Sequence, residues 1–131
     1  MFEIVSAALL ALQQPAVVGR FNCTVVRVSD GDTIRCASGL RVRLAAIDAP
    51  EMPGSCREGR RCAPGNPHAA RAYLASLVLG RSARCEAVGR THGRVAAWCS
   101  VRGTDLSCAM VKAGHAIRYA RHDRDRKLCR R

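Results

Sequence analysis

A small, mainly β barrel of the OB type is the architecture this sequence predicts: five strands in Greek-key order with two or three helices, an α+β fold. Three observations lead there. Five short strand-like runs, the first of them rich in β-branched residues, are separated by turn signals, and two helix-length segments carry caps at both ends. The length of 131 residues suits one modest core in one domain.

The first strand spans Phe21–Val28 and stops at Ser29-Asp30-Gly31-Asp32, a turn cluster. Thr33–Cys36 resumes as the second strand, Ser38-Gly39 turns the chain again, and Arg41–Ile47 forms the third. There Val42 and Leu44 share one face and Arg41 and Arg43 the other, by the period-two rule. The stretch 49–66, with Pro50, Pro53, Pro64 and three glycines, reads as a loop. A helix follows: Asn66 is a good N-cap, Pro67 fits the first helical position and Gly80 the C-terminal cap, with Tyr73, Leu74, Leu77 and Val78 as its apolar stripe. Ala83–Val88 and Arg94–Val101 form a hairpin around Thr91-His92-Gly93, read as a three-residue loop ending in glycine. The second helix runs from Leu106 to Ala113, capped by Asp105 and ended by Gly114. Beyond Tyr119 the chain is a basic tail with few apolar residues.

Charge and cysteine content narrow the class. Lysine plus arginine number 22 against 10 acidic residues, a net charge of +12. Only Lys112 and Lys127 are lysines; the rest are arginines, whose planar fork suits bidentate contacts to phosphate. Such an excess points to polyanions, nucleic acid before an anionic membrane surface. The eight cysteines show no C-x-x-C pair, and no histidine stands at a finger-like offset, which argues against structural zinc. An even count without metal spacing predicts four disulfides and an oxidising compartment, so a secreted or periplasmic protein. Cys85 and Cys99 are equidistant from His92 and face each other across the hairpin. Cys23 and Cys36 flank the first hairpin, diagonal if the turn is a plain two-residue Asp-Gly turn. Cys56 and Cys62 can close a small loop, leaving Cys108 with Cys129 to pin the tail, one of the roughly 105 connectivities that eight cysteines allow. Residues 1–19 hold a short apolar run (residues 4–12), read as a signal-peptide remnant without the usual positive n-region and too short to span a membrane. Residues 20–131 then form the domain, expected to be a monomer.

The chemistry lies in three motifs. Asp30-Gly31-Asp32-Thr33 alone is an ordinary hairpin turn. Arg43-Leu44-Ala45-Ala46-Ile47-Asp48-Ala49-Pro50-Glu51 sets an arginine and two carboxylates at the exit of a strand, an odd construction for stability alone. His92-Gly93-Arg94 is the third. Together, in this order, they resemble the staphylococcal nuclease-like (thermonuclease) family from about Phe21 to Tyr119, including the closing stretch Asp105-Leu106-Ser107 to Gly114-His115-Ala116. The resemblance implies a calcium-dependent hydrolase of DNA and RNA that leaves 3′-phosphates. It implies that Asp32, Asp48 and the backbone carbonyl of Ala49 bind the metal, and that Arg43 and Arg94 grip the scissile phosphate. It makes Glu51 the general base and puts Asp30 beside the metal without ligating it. His92 stands where many relatives have tyrosine, so stacking there is expected to be weaker or pH-sensitive. Arg41, His92, Lys112, Arg118 and Tyr119 are candidates for contacts to nucleic acid.

The residue types support these roles independently. Calcium favours several oxygen ligands in irregular geometry. Arginine donors on equatorial oxygens strengthen as charge develops, and a carboxylate three residues after a metal ligand can reach a water near the phosphate. No serine or cysteine sits in an activating context, and His68, His92, His115 and His122 show no metal or triad spacing, which reads as surface or packing roles. The rival readings are a catalytically silent OB module that binds nucleic acid by charge and a basic structural or membrane-surface protein. Neither needs the Asp32, Asp48, Glu51 set.

Overall fold

The computed structural model describes residues 19–56, 58–59, 61–123 and 126–129. Most of the apolar N-terminal segment and Arg124 of the tail therefore lie outside the described residues. Strands β1 (Gly19–Asp30), β2 (Thr33–Cys36), β3 (Arg41–Leu44), β5 (Ser82–Thr91) and β6 (Arg94–Val101) make the barrel. The order β3-β2-β1-β5-β6 is antiparallel throughout, and β3 pairs parallel with β6 to close it. This is the five-stranded OB-type barrel expected. The short β7 (Thr104–Asp105) pairs with β6, while β4 (Ile47–Asp48) pairs with β8 (Ile117–Arg118) as a separate ribbon.

Alternation explains the core. Val25, Ile34, Val42, Leu44 and Val95 point inward from the barrel strands and are fully or almost fully buried. Helix α1 (Pro67–Val78) adds Ala70, Leu74 and Val78, and helix α2 (Leu106–Lys112) adds Leu106 and Met110. Both helices are capped as the sequence predicts. The Asn66 side chain accepts from the amides of His68 and Ala69 at 2.9 and 3.1 Å, and Asp105 accepts from that of Cys108 at 3.0 Å. Gly80 and Gly114 take positive φ just past the helix ends, where a side chain would be strained.

The third strand is shorter than Arg41–Ile47. It breaks at Ala45-Ala46, where Ala46 sits in the left-handed region at φ 68°. The break survives because its backbone finds other partners: Ala45 N–H donates to Ala97 O at 2.9 Å, Ser107 Oγ to Ala45 O at 2.7 Å, and Tyr119 N–H to Ala46 O at 2.7 Å. The β5–β6 connection also differs. Thr91 pairs with Arg94, so the loop is His92-Gly93 alone, both with positive φ, rather than three residues. A register shift between Ala87 and Gly89 supplies the extra residue and still sets Cys85 opposite Cys99.

All four disulfides pair as read from the sequence, with Cα separations of 5.0 Å (Cys23–Cys36), 6.3 Å (Cys56–Cys62), 4.1 Å (Cys85–Cys99) and 4.8 Å (Cys108–Cys129). The last returns the tail to α2, and Arg126 ion-pairs with Asp105 and lies over the Trp98 ring, 4.4 Å from its centroid. Among the described residues no helix is long and apolar enough to cross a membrane.

Candidate active site

The turn between β1 and β2 starts the site. Asp30 Oδ1 accepts from the Asp32 amide at 3.0 Å, a local turn around Gly31. A Cβ at Gly31 would lie 2.8 Å from the Cβ atoms of both Ala49 and Ala70. Only glycine lets the turn press this closely on the segment after β4 and on α1. Asp32 is thereby set beside Ala49, whose amide donates to Asp32 Oδ2 at 3.0 Å. The Thr33 hydroxyl donates to Oδ1 at 3.0 Å, so both oxygens of this buried carboxylate are oriented.

Arg43 leaves β3 just before the break and uses the carbonyls near it. Its Nη1 donates to Leu44 O at 2.9 Å and Ile47 O at 2.8 Å. Its Nη2 then lies 3.4 Å from Asp48 Oδ1 and 3.6 Å from Asp32 Oδ2, facing both carboxylates at once. The guanidinium sits over the Tyr119 ring, 5.7 Å from the centroid. Across the barrel seam Arg94 opens β6 and donates from Nη1 to Thr33 Oγ1 at 3.3 Å. Its Nε is buried without a hydrogen-bond partner among the described residues. A buried donor left unpaired is costly, so this fork suits an anionic ligand that would meet it.

A cavity of about 410 Å³ collects these groups: Asp30, Asp32, Arg43, Glu51, Arg94, His92 and Tyr119 line it, with Ser55, Arg121 and His122. Burial pushes the Asp30 carboxyl up to about 7, helped by the charge of Asp32 and more weakly by that of Glu51. Burial also lowers the His122 imidazole, as do the cations Arg121 and Arg43.

Most of the site residues read from the sequence converge here. Asp48 and Ala49 join through Arg43 and Asp32. Arg41 stands exposed on the outer face of β3, one pleat from Arg43. Arg118 turns to Asp123, with Nε 2.6 Å from Oδ2, and holds that carboxyl below its ordinary value. Lys112 lies away from this cavity: it ends α2 and borders a different one with Tyr73 and Cys108. His115 is a packing residue, its ring 5.0 Å from that of Tyr73. His122 is no mere surface residue, however. Together with Arg121 and Ser55 it is a cavity group that residue patterns did not flag. The Cys108–Cys129 pairing was the one available signal that the tail returns to the barrel.

Among the described residues no group of three or more His, Cys, Asp or Glu side chains is arranged as a metal site. A cation here would rely on the Asp32 and Asp48 carboxylates together with backbone and water oxygens, an all-oxygen donor set of the kind hard divalent ions use.

The family described as "Staphylococcal nuclease homologue" matches residues 41–130. A protein described as "Uncharacterized endonuclease" from Haemophilus influenzae is 32% identical over 109 residues, covering 79% of this chain and 56% of that protein. "Probable endonuclease LCL3" from Yarrowia lipolytica is 33% identical over 85 residues, covering 61% of this chain and 36% of that protein. The chain thus spans about half or less of the length of these relatives.

Proposed function

The chain belongs to the staphylococcal nuclease homologue family, and from that premise we propose that it hydrolyses phosphodiester bonds in DNA and RNA with calcium and water. The observation that carries the reading is the meeting of Arg43, Arg94 and Glu51 in one cavity, with the buried Arg94 Nε unmet. Arg94 binds the scissile phosphate through its open donor, and its Nη1 contact with Thr33 fixes the fork. Arg43, anchored at two carbonyls, offers Nη2 to the same phosphate and stabilises charge as it grows on the equatorial oxygens. Glu51 takes the proton of the attacking water.

The residues present fit calcium. Asp30, Asp32 and Glu51 set three carboxylates around one cavity, where burial first and the neighbouring charges second lift Asp30 to about 7, and a divalent cation would offset that negative charge. Asp32, Asp48 and the Ala49 carbonyl would hold the ion, which when bound supplies positive charge against a non-bridging phosphate oxygen. Four disulfides support a secreted or periplasmic protein.

The test is a plate assay of the oxidised protein on heat-denatured DNA and on RNA. Clearing with calcium and none with a chelator is the expected result. No clearing in either condition overturns the nuclease reading, and full clearing in chelator overturns the metal.

A further inference from the structure

Beyond the cavity, the outer face of the barrel carries a row of arginines set side by side. Arg27 of β1 pairs with Arg35 of β2, and Arg35 pairs with Arg41 of β3. Carrying the parallel β3–β6 register one residue back from Val42↔Val95 brings Arg41 beside Arg94. The row therefore crosses four strands and ends on an arginine of the proposed catalytic site. At about 4.8 Å between strands it is roughly 14 Å long.

Arg27, Arg35 and Arg41 are exposed, and among the described residues none of them is ion-paired. Like charges directly opposite across strands are destabilising, so packing does not explain the row. Nor does plain alternation explain it. Cys23 and Val25 point into the core, and strict period two would send Arg27 inward after them. A register shift between Val25 and Arg27 leaves Val26 as the extra exposed residue, turns Arg27 outward opposite Arg35 and returns Val28 to the core. Bulges of this kind re-aim a side chain.

We propose that Arg41, Arg35 and Arg27 form a phosphate track that carries the flanking backbone of a single nucleic-acid strand away from the scissile phosphate at Arg94. The ligand class is a polyphosphodiester. The track reads charge spacing and not base identity, so it confers affinity and processive hold without sequence preference. It rests on the proposed nuclease site for its end point, but its binding is measurable without turnover.

The experiment uses a fluorescein-labelled 12-nucleotide single strand, with anisotropy recorded in chelator from 50 to 300 mM salt. R27Q/R35Q is compared with wild type and with R71Q/R102Q, which removes two exposed arginines elsewhere. Losing two phosphate contacts should lower the slope of log K against log salt by about 1.4 and weaken binding roughly tenfold or more at 50 mM salt. R71Q/R102Q should bind nearly as wild type. Hydrolysis of a small diester, bis(p-nitrophenyl) phosphate with calcium, occupies only the cavity and should be unchanged in R27Q/R35Q. Its failure in wild type would count against the nuclease site and not against the track. An unchanged slope in R27Q/R35Q, or an equal loss in R71Q/R102Q, overturns the track. So does loss of binding to phosphatidylserine vesicles with oligonucleotide binding intact, which would make the row a membrane surface. A thermal midpoint at or above that of wild type in R27Q/R35Q shows the loss is not unfolding, because like-charge repulsion has been removed.

Discussion

Replacing Gly31 with alanine adds one methyl group at the tightest approach in the site. That methyl would meet the Cβ atoms of Ala49 and Ala70 at 2.8 Å each, against an ordinary contact of 3.4–4 Å, and Met110 Cε at 3.5 Å. None of the first two atoms belongs to a flexible side-chain end, so backbone must move. Overpacking of this kind costs about 1–3 kcal/mol, and for a domain of this size each kcal/mol lowers the thermal midpoint by about 3–5 °C. The displaced segment holds the Ala49 amide on Asp32, so the Asp32 carboxylate shifts too. A shift near 1 Å in a catalytic constellation costs on the order of 10²-fold in rate. Differential scanning calorimetry and turnover on single-stranded DNA read the two effects. Ala49→Gly removes one of the two clashing methyls, so G31A/A49G should recover part of the stability, with a coupling of about 0.5–3 kcal/mol. A G31A protein that melts and cleaves like wild type would refute the claim that this contact positions Asp32.

Glu51→Gln should cut turnover by roughly 10²–10⁴ while DNA affinity changes little, because the general base proposed for Glu51 acts on water and not on the bound phosphate. Thiol titration of the denatured, unreduced protein should find almost no free thiol. Replacing Cys85 and Cys99 with serine should cost about 2–5 kcal/mol in chemical unfolding. Asp123 titrates below its ordinary value because Arg118 hydrogen-bonds it, so its contribution is full above about pH 4 and fades as the pH falls through the lowered value. The stability gap between wild type and Asp123→Asn in urea melts should therefore shrink below pH 4 and stay constant from pH 5 to 7.

Local chemistry made much of this fold legible. Asn66, Pro67 and Gly80 bracket a helix by backbone rules that act within a few residues, and strand alternation placed Arg43 outside and Val42 inside. The breaks were harder. Ala45-Ala46 carries no turn residue, and its left-handed alanine persists because Ser107 and Tyr119, distant in sequence, donate hydrogen bonds to the Ala45 and Ala46 carbonyls. Bulges were invisible for the same reason: the shift at Val88 repairs the register of Cys85 and Cys99, and nothing in the local pattern marks it. In the site, the motif residues could be named because their spacing is short. Arg121 and His122 reach the cavity by a return of the tail that depends on tertiary packing and on Cys108–Cys129. A charge-rich tail gives no local sign of that.

The closure of the barrel ties folding to activity. Arg43 and Arg94 stand on β3 and β6, the two strands whose parallel pairing closes the barrel and which lie far apart along the chain. Cys23–Cys36 and Cys85–Cys99 each staple one hairpin on its own side, and neither crosses that seam. The seam must therefore form by slow, long-range pairing that the oxidised hairpins bias but do not enforce. Each half of the barrel can be covalently complete while the two arginines are still apart. In refolding, native hairpin disulfides should appear before nuclease activity, and activity should rise only with the phase that buries Val42 against Val95. A chain caught before that step carries every residue of the site and has no site.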